Sequence, residues 1–209
     1  QIKIQNPDEK GVGEVLAKGP NVMRGYAGNE GATKQALDDE GWLHTGDLGK
    51  LDKKKQLVIV GRQKDVIVSA NGENVYPDDV EELLGKVKYV RELAVVGIDD
   101  KKGGERVACL ASPEPYAAPK DTPERPETAA ERSARHSKAL ASLREAIAEL
   151  PKGCQPAVLH LYDSELPRTA TRKVKRLDVR AILMRLIEAS APAPEDSAHE
   201  TKQAISPAR

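Results

Sequence analysis

Apolar residues come in short runs. Ile2 with Ile4, Val12 to Ala17, and Leu57-Val58-Ile59-Val60 are each cut off by Gly, Asn, Asp or Pro. Residues 1–61 therefore read as short strands joined by turns, interrupted by one helix at Thr33 to Leu37. No run approaches the ~20 apolar residues that span a bilayer, and the first residues lack the regions of a signal peptide. The expected setting is cytoplasmic, with at most peripheral membrane association. Gln1 to Gln5 alternates like a strand already under way with no initiator Met, so a piece of a longer chain is expected.

The remainder mixes the two periods. Val66 to Ser69 reads as a strand, Ala70-Asn71-Gly72-Glu73-Asn74 as a turn, and Pro77 with Asp78, Asp79, Glu81 and Glu82 as the start of a helix, where proline and carboxylates suit the exposed N–H groups and the macrodipole. Val80, Leu83, Leu84 and Val87 give its buried stripe. Leu93 to Ile98 and Val107 to Ala111 read as paired strands across the loop Asp99 to Gly104. Five prolines in 112–126 predict an exposed insertion, since proline fits neither a helix interior nor a central strand. A helix from Ala129 to Leu150 follows, with Leu140, Leu143, Ile147 and Leu150 on one face, then a strand at Ala157 to Tyr162. Asp178 is placed to cap a last helix with Val179, Ile182, Leu183, Leu186 and Ile187 inward. From Ser190 the Ala, Pro, Ser and Glu content predicts a disordered tail. The fold class is α+β, with a small sheet packed by helices.

The 209 residues suit one or two domains. Lys plus Arg and Asp plus Glu balance at 33 each, so any anion site must be local. With no Phe and one Trp there are few stacking platforms, and no nucleic-acid partner is expected. Cys109 and Cys154 lack the spacing of a zinc site or a disulfide framework, and no metal site is expected. No Walker loop, G-x-G-x-x-G, G-x-S-x-G or H-E-x-x-H occurs, and His44, His136, His160 and His199 are scattered without partners.

Three segments carry chemistry. Asp47, after Thr45-Gly46, can project a carboxylate from the end of a strand toward paired hydroxyls such as those of a ribose, or be an ordinary turn aspartate. Arg62 and Lys64 sit between two strand-like runs, as phosphate ligands or solvated charges. Leu166-Pro167-Arg168-Thr169-Ala170-Thr171-Arg172-Lys173-Val174-Lys175-Arg176 puts dense positive charge on a turn before an amphipathic helix. Spacing alone does not choose among these readings.

The joint pattern does. Gly13-Glu14-Val15-Leu16 with Gly19 to Tyr26, Trp42 to Asp47, Gly61 to Ile67 running through Asn71 to Pro77, and Leu166 to Lys173 together resemble the adenylate-forming acyl-CoA ligase superfamily, in its C-terminal part. The wording at Gly19 to Gly25 and Ser69 to Pro77 is most similar to bacterial long-chain fatty acyl-CoA synthetases. The resemblance implies that Asp47 holds the ATP ribose and Arg62 the ribose or phosphates. It makes Lys64 the hinge, Gly72 part of the loop that approaches the coenzyme A channel, and Lys173 the catalytic lysine. The family commonly has glycine where Arg172 stands, which leaves Lys173 and Lys175 as alternatives for the reaching residue, with Lys173 favoured. It also implies that 1–63 end a large β-rich adenylation domain and that 64–189 form a mobile C-terminal lid. ATP, Mg2+, coenzyme A and a fatty acid serve the full-length enzyme, whose remaining large domain is the partner; this chain alone is expected to be inactive with none of them bound. Two alternatives stand beside it: a ligase loading a carrier protein, and a non-catalytic module using the basic side chains of 168–180.

Overall fold

The computed structural model describes residues 1–100, 103–117 and 125–190. Strands β1 (Ile2–Gln5), β2 (Gly13–Ala17), β3 (Leu43–Leu51) and β4 (Leu57–Arg62) form an antiparallel sheet in chain order. Helix α1 (Glu30–Ala36) begins ahead of the expected Thr33 because the Asn29 side chain accepts the Ala32 N–H and caps it there.

The main departure in this half is β3. The tight turn expected before Asp47 does not end a strand; it is absorbed inside one. Gly46 takes φ +69°, and the ladder with β2 shifts register between Glu14 and Leu16. Such a bulge kinks a strand and re-aims the side chains beside it. Its loose groups are tied down locally. Thr45 Oγ1 donates to the Val15 carbonyl at 2.7 Å and accepts the Asp47 N–H at 3.1 Å. Glu14 accepts the Gly46 N–H at 3.2 Å and meets His44 Nδ1 at 2.9 Å. His44 thus has a partner, and so does His136, which meets Asp163 at 2.6 Å, contrary to the expectation of partnerless histidines.

Further on lie the two-stranded hairpin β5 (Ile67–Val68) and β6 (Asn74–Val75), then α2 (Pro77–Leu84), β7 (Val90–Asp99), β8 (Glu105–Pro113), α3 (Ala129–Ala148), β9 (Val158–Leu161) and α4 (Arg176–Ser190). Their sheet runs β7-β8-β9, antiparallel then parallel, with α3 as the crossover. Alternation along β7 and β8 assigns each face. Ala94, Val96, Ile98, Ala108 and Leu110 pack with Val179 and Leu183 of α4. Val95 and Val107 pack with Val80 and Leu84 of α2, while Cys109 and Ala111 pack with Leu143 of α3. Helices on both faces explain why these two strands are apolar throughout. This is the expected α+β class.

Several details differ from expectation. Leu83 is 60% exposed, because the buried face of α2 runs through Pro77, Val80 and Leu84; the helix stops at Leu84, and the turn beyond it delivers Val87 to the core. Asp178 lies inside the first turn of α4 and pairs with Lys175 instead of capping. Ser112 and Pro113 are buried ends of β8, so the exposed segment starts later; Pro113 faces only Val90 of β7, since β9 pairs no further than Ala111. Pro119, Pro123, His199 and the expected tail beyond Ser190 lie outside the described residues. Both cysteines are free, and burial pushes the Cys109 thiol up to about 12. Among the described residues no helix is long and apolar enough to cross a membrane.

Candidate functional site

An open cleft of about 730 Å³ lies where the four-stranded sheet, the 3-10 turn Gln63–Asp65 and the hairpin before α4 meet. Asp47, Arg62, Lys64, Arg172, Lys173 and Arg176 are among its lining residues. Four candidates scattered from β3 to the last hairpin are thus brought together. Gly72 is not among the lining residues; it sits at the exposed tip between β5 and β6 with φ +80°, donating its N–H to the Ser69 carbonyl at 2.8 Å. The turn itself accounts for a glycine there.

Asp47 and Arg62 are ladder partners, and Arg62 Nε lies 2.9 Å from Asp47 Oδ1. Both side chains reach solvent, so the pair contributes only ~0–1 kcal/mol. A ligand offering hydroxyls or phosphate oxygens could displace it at little cost. Lys64 is exposed in the 3-10 turn, which has no side-chain cap at its start.

Lys173 is presented by a narrow hairpin. The Arg172 N–H donates to the Thr169 carbonyl at 2.9 Å, and the Thr169 N–H donates to the Lys173 carbonyl at 2.8 Å. Arg168 bridges to Val174. Thr169 Oγ1 accepts the Lys173 N–H at 3.1 Å. Closing this loop puts Arg172 at φ +63°. That is the left-handed position a hairpin of this kind normally gives to glycine. A side chain there costs ~1–2 kcal/mol, part of which glycine would lose again through its freer unfolded chain. Arg172→Gly should therefore stabilise the chain by ~0.5–1 kcal/mol, read from the urea midpoint at unchanged slope.

Charge in the basic stretch is largely spent internally. Arg168 pairs with Glu92, Arg176 with Asp65, Asp78 and Glu81, and Arg180 with Asp99 and Glu105. Lys175 lies 3.6 Å from Asp178 and does not line the cleft. Lys173, by contrast, lines it, is exposed, and has no ion pair among the described residues. Of the two candidate lysines, Lys173 is the one at the cleft. The carboxylates Asp65, Asp78 and Glu81 also line it; the sequence marks Asp78 and Glu81 only as helix-start residues and gives none of the three a place in the site, because their partner Arg176 is distant along the chain and spacing carries no trace of the contact. No group of three or more His, Cys, Asp or Glu that could hold a metal occurs among the described residues.

Residues 79–173 match the family model of the AMP-binding enzyme C-terminal domain. The chain belongs to this adenylate-forming family. The chain is 37% identical over 173 residues to an indoleacetate–CoA ligase of Aromatoleum aromaticum, covering 83% of this chain and 30% of the relative. It is 38% identical over 164 residues to a 2-succinylbenzoate–CoA ligase of Bacillus pumilus, covering 78% and 29%. Among solved structures, ATP-bound MatB from Rhodopseudomonas palustris superposes with a TM-score of 0.68 at 26% identity, over 89% of this chain and 34% of that one. The Bacillus subtilis o-succinylbenzoate CoA synthetase in complex with its acyl-adenylate intermediate gives 0.62 at 33% identity, over 86% and 33%. The chain thus spans about a third or less of the lengths of these relatives.

Proposed function

We propose that this chain is the nucleotide-handling C-terminal part of an ATP-dependent acid–thiol ligase that makes an acyl-adenylate and then a coenzyme A thioester. The observation that carries the reading is the convergence of Asp47, Arg62, Lys64 and Lys173 on one cleft. The relatives named as CoA ligases support it.

In the first half-reaction the substrate carboxylate attacks the α-phosphorus of ATP and pyrophosphate leaves. Asp47 accepts the ribose hydroxyls and Arg62 donates to the ribose or phosphate oxygens. The Lys173 ammonium meets the charge that builds on the α-phosphoryl oxygens in the transition state. Magnesium bound with the ATP phosphates would neutralise part of their charge. In the second half-reaction the coenzyme A thiol adds to the acyl carbonyl, AMP departs with the bonding pair and the thiol proton goes to solvent. Residues 1–63 complete the large domain, whose remainder covers the exposed Ile2, Leu51, Val58 and Ile59. Residues 64–189 are the lid that turns about Lys64 and brings the Gly72 turn toward the thiol channel.

The acid substrate is the finer question. The relatives are named for indoleacetate and 2-succinylbenzoate, so the long-chain fatty acid reading rests only on the residues at 19–25 and 69–77. A basic binding module is disfavoured, because the arginines at 168, 176 and 180 are already paired with carboxylates.

The test is carboxylate-dependent ATP–pyrophosphate exchange by the full-length protein, with aryl and long-chain acids side by side. Asp47→Ala should raise KM for ATP by ~10–100-fold, the worth of hydrogen bonds to a charged acceptor. Exchange with no acid of either class, or an unchanged KM, would contradict the reading.

A further inference from the structure

Glu92, in β7, has its side chain 14% exposed and faces the base of the hairpin that carries Lys173. One carboxylate oxygen accepts the Leu166 N–H at 2.9 Å, and the other takes the Arg168 guanidinium. The second arm of Arg168 donates to the carbonyl of Arg172 at 2.7 Å. The peptide unit that joins Arg172 to Lys173 is therefore tied, through one planar fork, to a carboxylate on a central sheet of the core. Burial alone would push the Glu92 carboxyl up; the Leu166 N–H and Arg168 outweigh it and hold the group below the usual carboxylate range. Arg91 also reaches Glu92, at 3.2 Å, and Glu165 at 3.4 Å, which neutralises the outer side of the cluster.

We propose that Glu92 and Arg168 form a clamp that positions the Lys173 hairpin on β7, so that the ammonium enters the cleft at a fixed height. The inference rests on the role given to Lys173 under the proposed function. The physical reason for such a device lies in the hairpin itself. Its tip carries Arg172 in a left-handed conformation that a non-glycine residue leaves readily, and residues 168–173 are all exposed, with apolar packing only at the loop's base, from Leu166, Pro167 and the half-buried Val174. Without the fork, the carbonyl that precedes Lys173 is free to turn, and small displacements of a charged group are costly in rate.

Two readouts separate the clamp from the chemistry. The first is amide hydrogen exchange of 166–175 in this chain, for Glu92→Gln, Arg168→Ala, their double variant and Arg168→Lys. The second is kcat and KM of ATP–pyrophosphate exchange in the full-length protein with the same substitutions. The clamp predicts hairpin exchange about tenfold faster in each single variant and no faster in the double, because either change opens the same link. It predicts kcat down about tenfold or more with KM for ATP held within about threefold. Arg168→Lys, which keeps the charge and loses the fork, should fall between. Unchanged hairpin exchange, or single effects that multiply in the double variant, would overturn the clamp. A loosened hairpin with unchanged kcat, in a protein where Lys173→Ala does abolish exchange, would overturn its positioning role. If Lys173→Ala leaves pyrophosphate exchange intact, the ligase reading fails instead, and the hydrogen-exchange result still decides the clamp.

Discussion

Replacing Arg176 with Met should cost ~3–5 kcal/mol of folding stability, a large share of the ~5–15 kcal/mol that holds a domain together. The side chain is 15% exposed at the first residue of α4 and reaches three elements at once. One arm donates to Glu81 at 2.5 Å and to the Val95 carbonyl at 2.8 Å, the other to Asp78 and again to Glu81 at 3.1 Å, and Nε faces Asp65 at 3.9 Å. Burial works against the charged guanidinium, but the Glu81 and Asp78 carboxylates outweigh it and raise its pKa. Met fills the volume yet leaves Glu81, which also accepts the Val95 N–H at 2.7 Å, as a poorly hydrated charge without its counter-ion. Asp78 is more exposed and can turn to water, so Glu81 should carry most of the cost. Adding Glu81→Gln removes the stranded charge while keeping an acceptor for Val95. The double variant should therefore be more stable than Arg176→Met alone. Urea denaturation of the three proteins checks this; a loss below ~1 kcal/mol in the single variant would place the network with ordinary surface pairs.

Lys173→Ala should lower the rate of acyl-adenylate formation by ~10²–10³-fold, the usual worth of one preorganised donor to a developing oxyanion. The effect should fall on kcat more than on KM for ATP, because the charge it meets is larger in the transition state than in bound ATP. Lys175→Ala should change the rate by less than ~3-fold, since that ammonium turns away from the cleft toward Asp178 and such an exposed pair contributes little. Gly72→Leu tests the second half-reaction. Gly72 is outside the cleft, so adenylate formation should persist while thioester formation falls. A variant that lost both activities in step would point to a damaged turn, because φ +80° strains any residue with a side chain.

Much of this architecture is written in local pattern. The apolar stretches of β7 and β8 read as paired strands in a sheet packed by helices, and α2 and α4 cover its two faces, through Val80 and Leu84 on one side and Val179 and Leu183 on the other. Pro77 and the acidic residues behind it mark the start of α2. The misreadings have a common physical origin. Asp47 was expected at a strand end because Thr45-Gly46 reads as a turn; only pairing with β2 makes the same backbone a bulge inside β3. Asp78 and Glu81 read as helix-start carboxylates, which they are, but nothing nearby in sequence announces Arg176. Glu92 and Arg168 are equally remote from each other along the chain and meet only once β7 and the last hairpin are packed. Long-range ion pairs depend on tertiary geometry that periodicity does not encode. The motifs name Asp47, Arg62, Lys64 and Lys173, which the fold brings to one cleft, while Gly72 lies in a separate turn.

The central claim is that Lys173 supplies the charge for carboxylate activation at this cleft. It is tested most directly by single-turnover formation of acyl-adenylate in the full-length protein, comparing wild type, Lys173→Ala and Lys175→Ala at saturating ATP. The account predicts near-wild-type adenylate formation by Lys175→Ala and a rate at least ~100-fold lower for Lys173→Ala. Equal rates for wild type and Lys173→Ala, or a loss confined to Lys175→Ala, would contradict it.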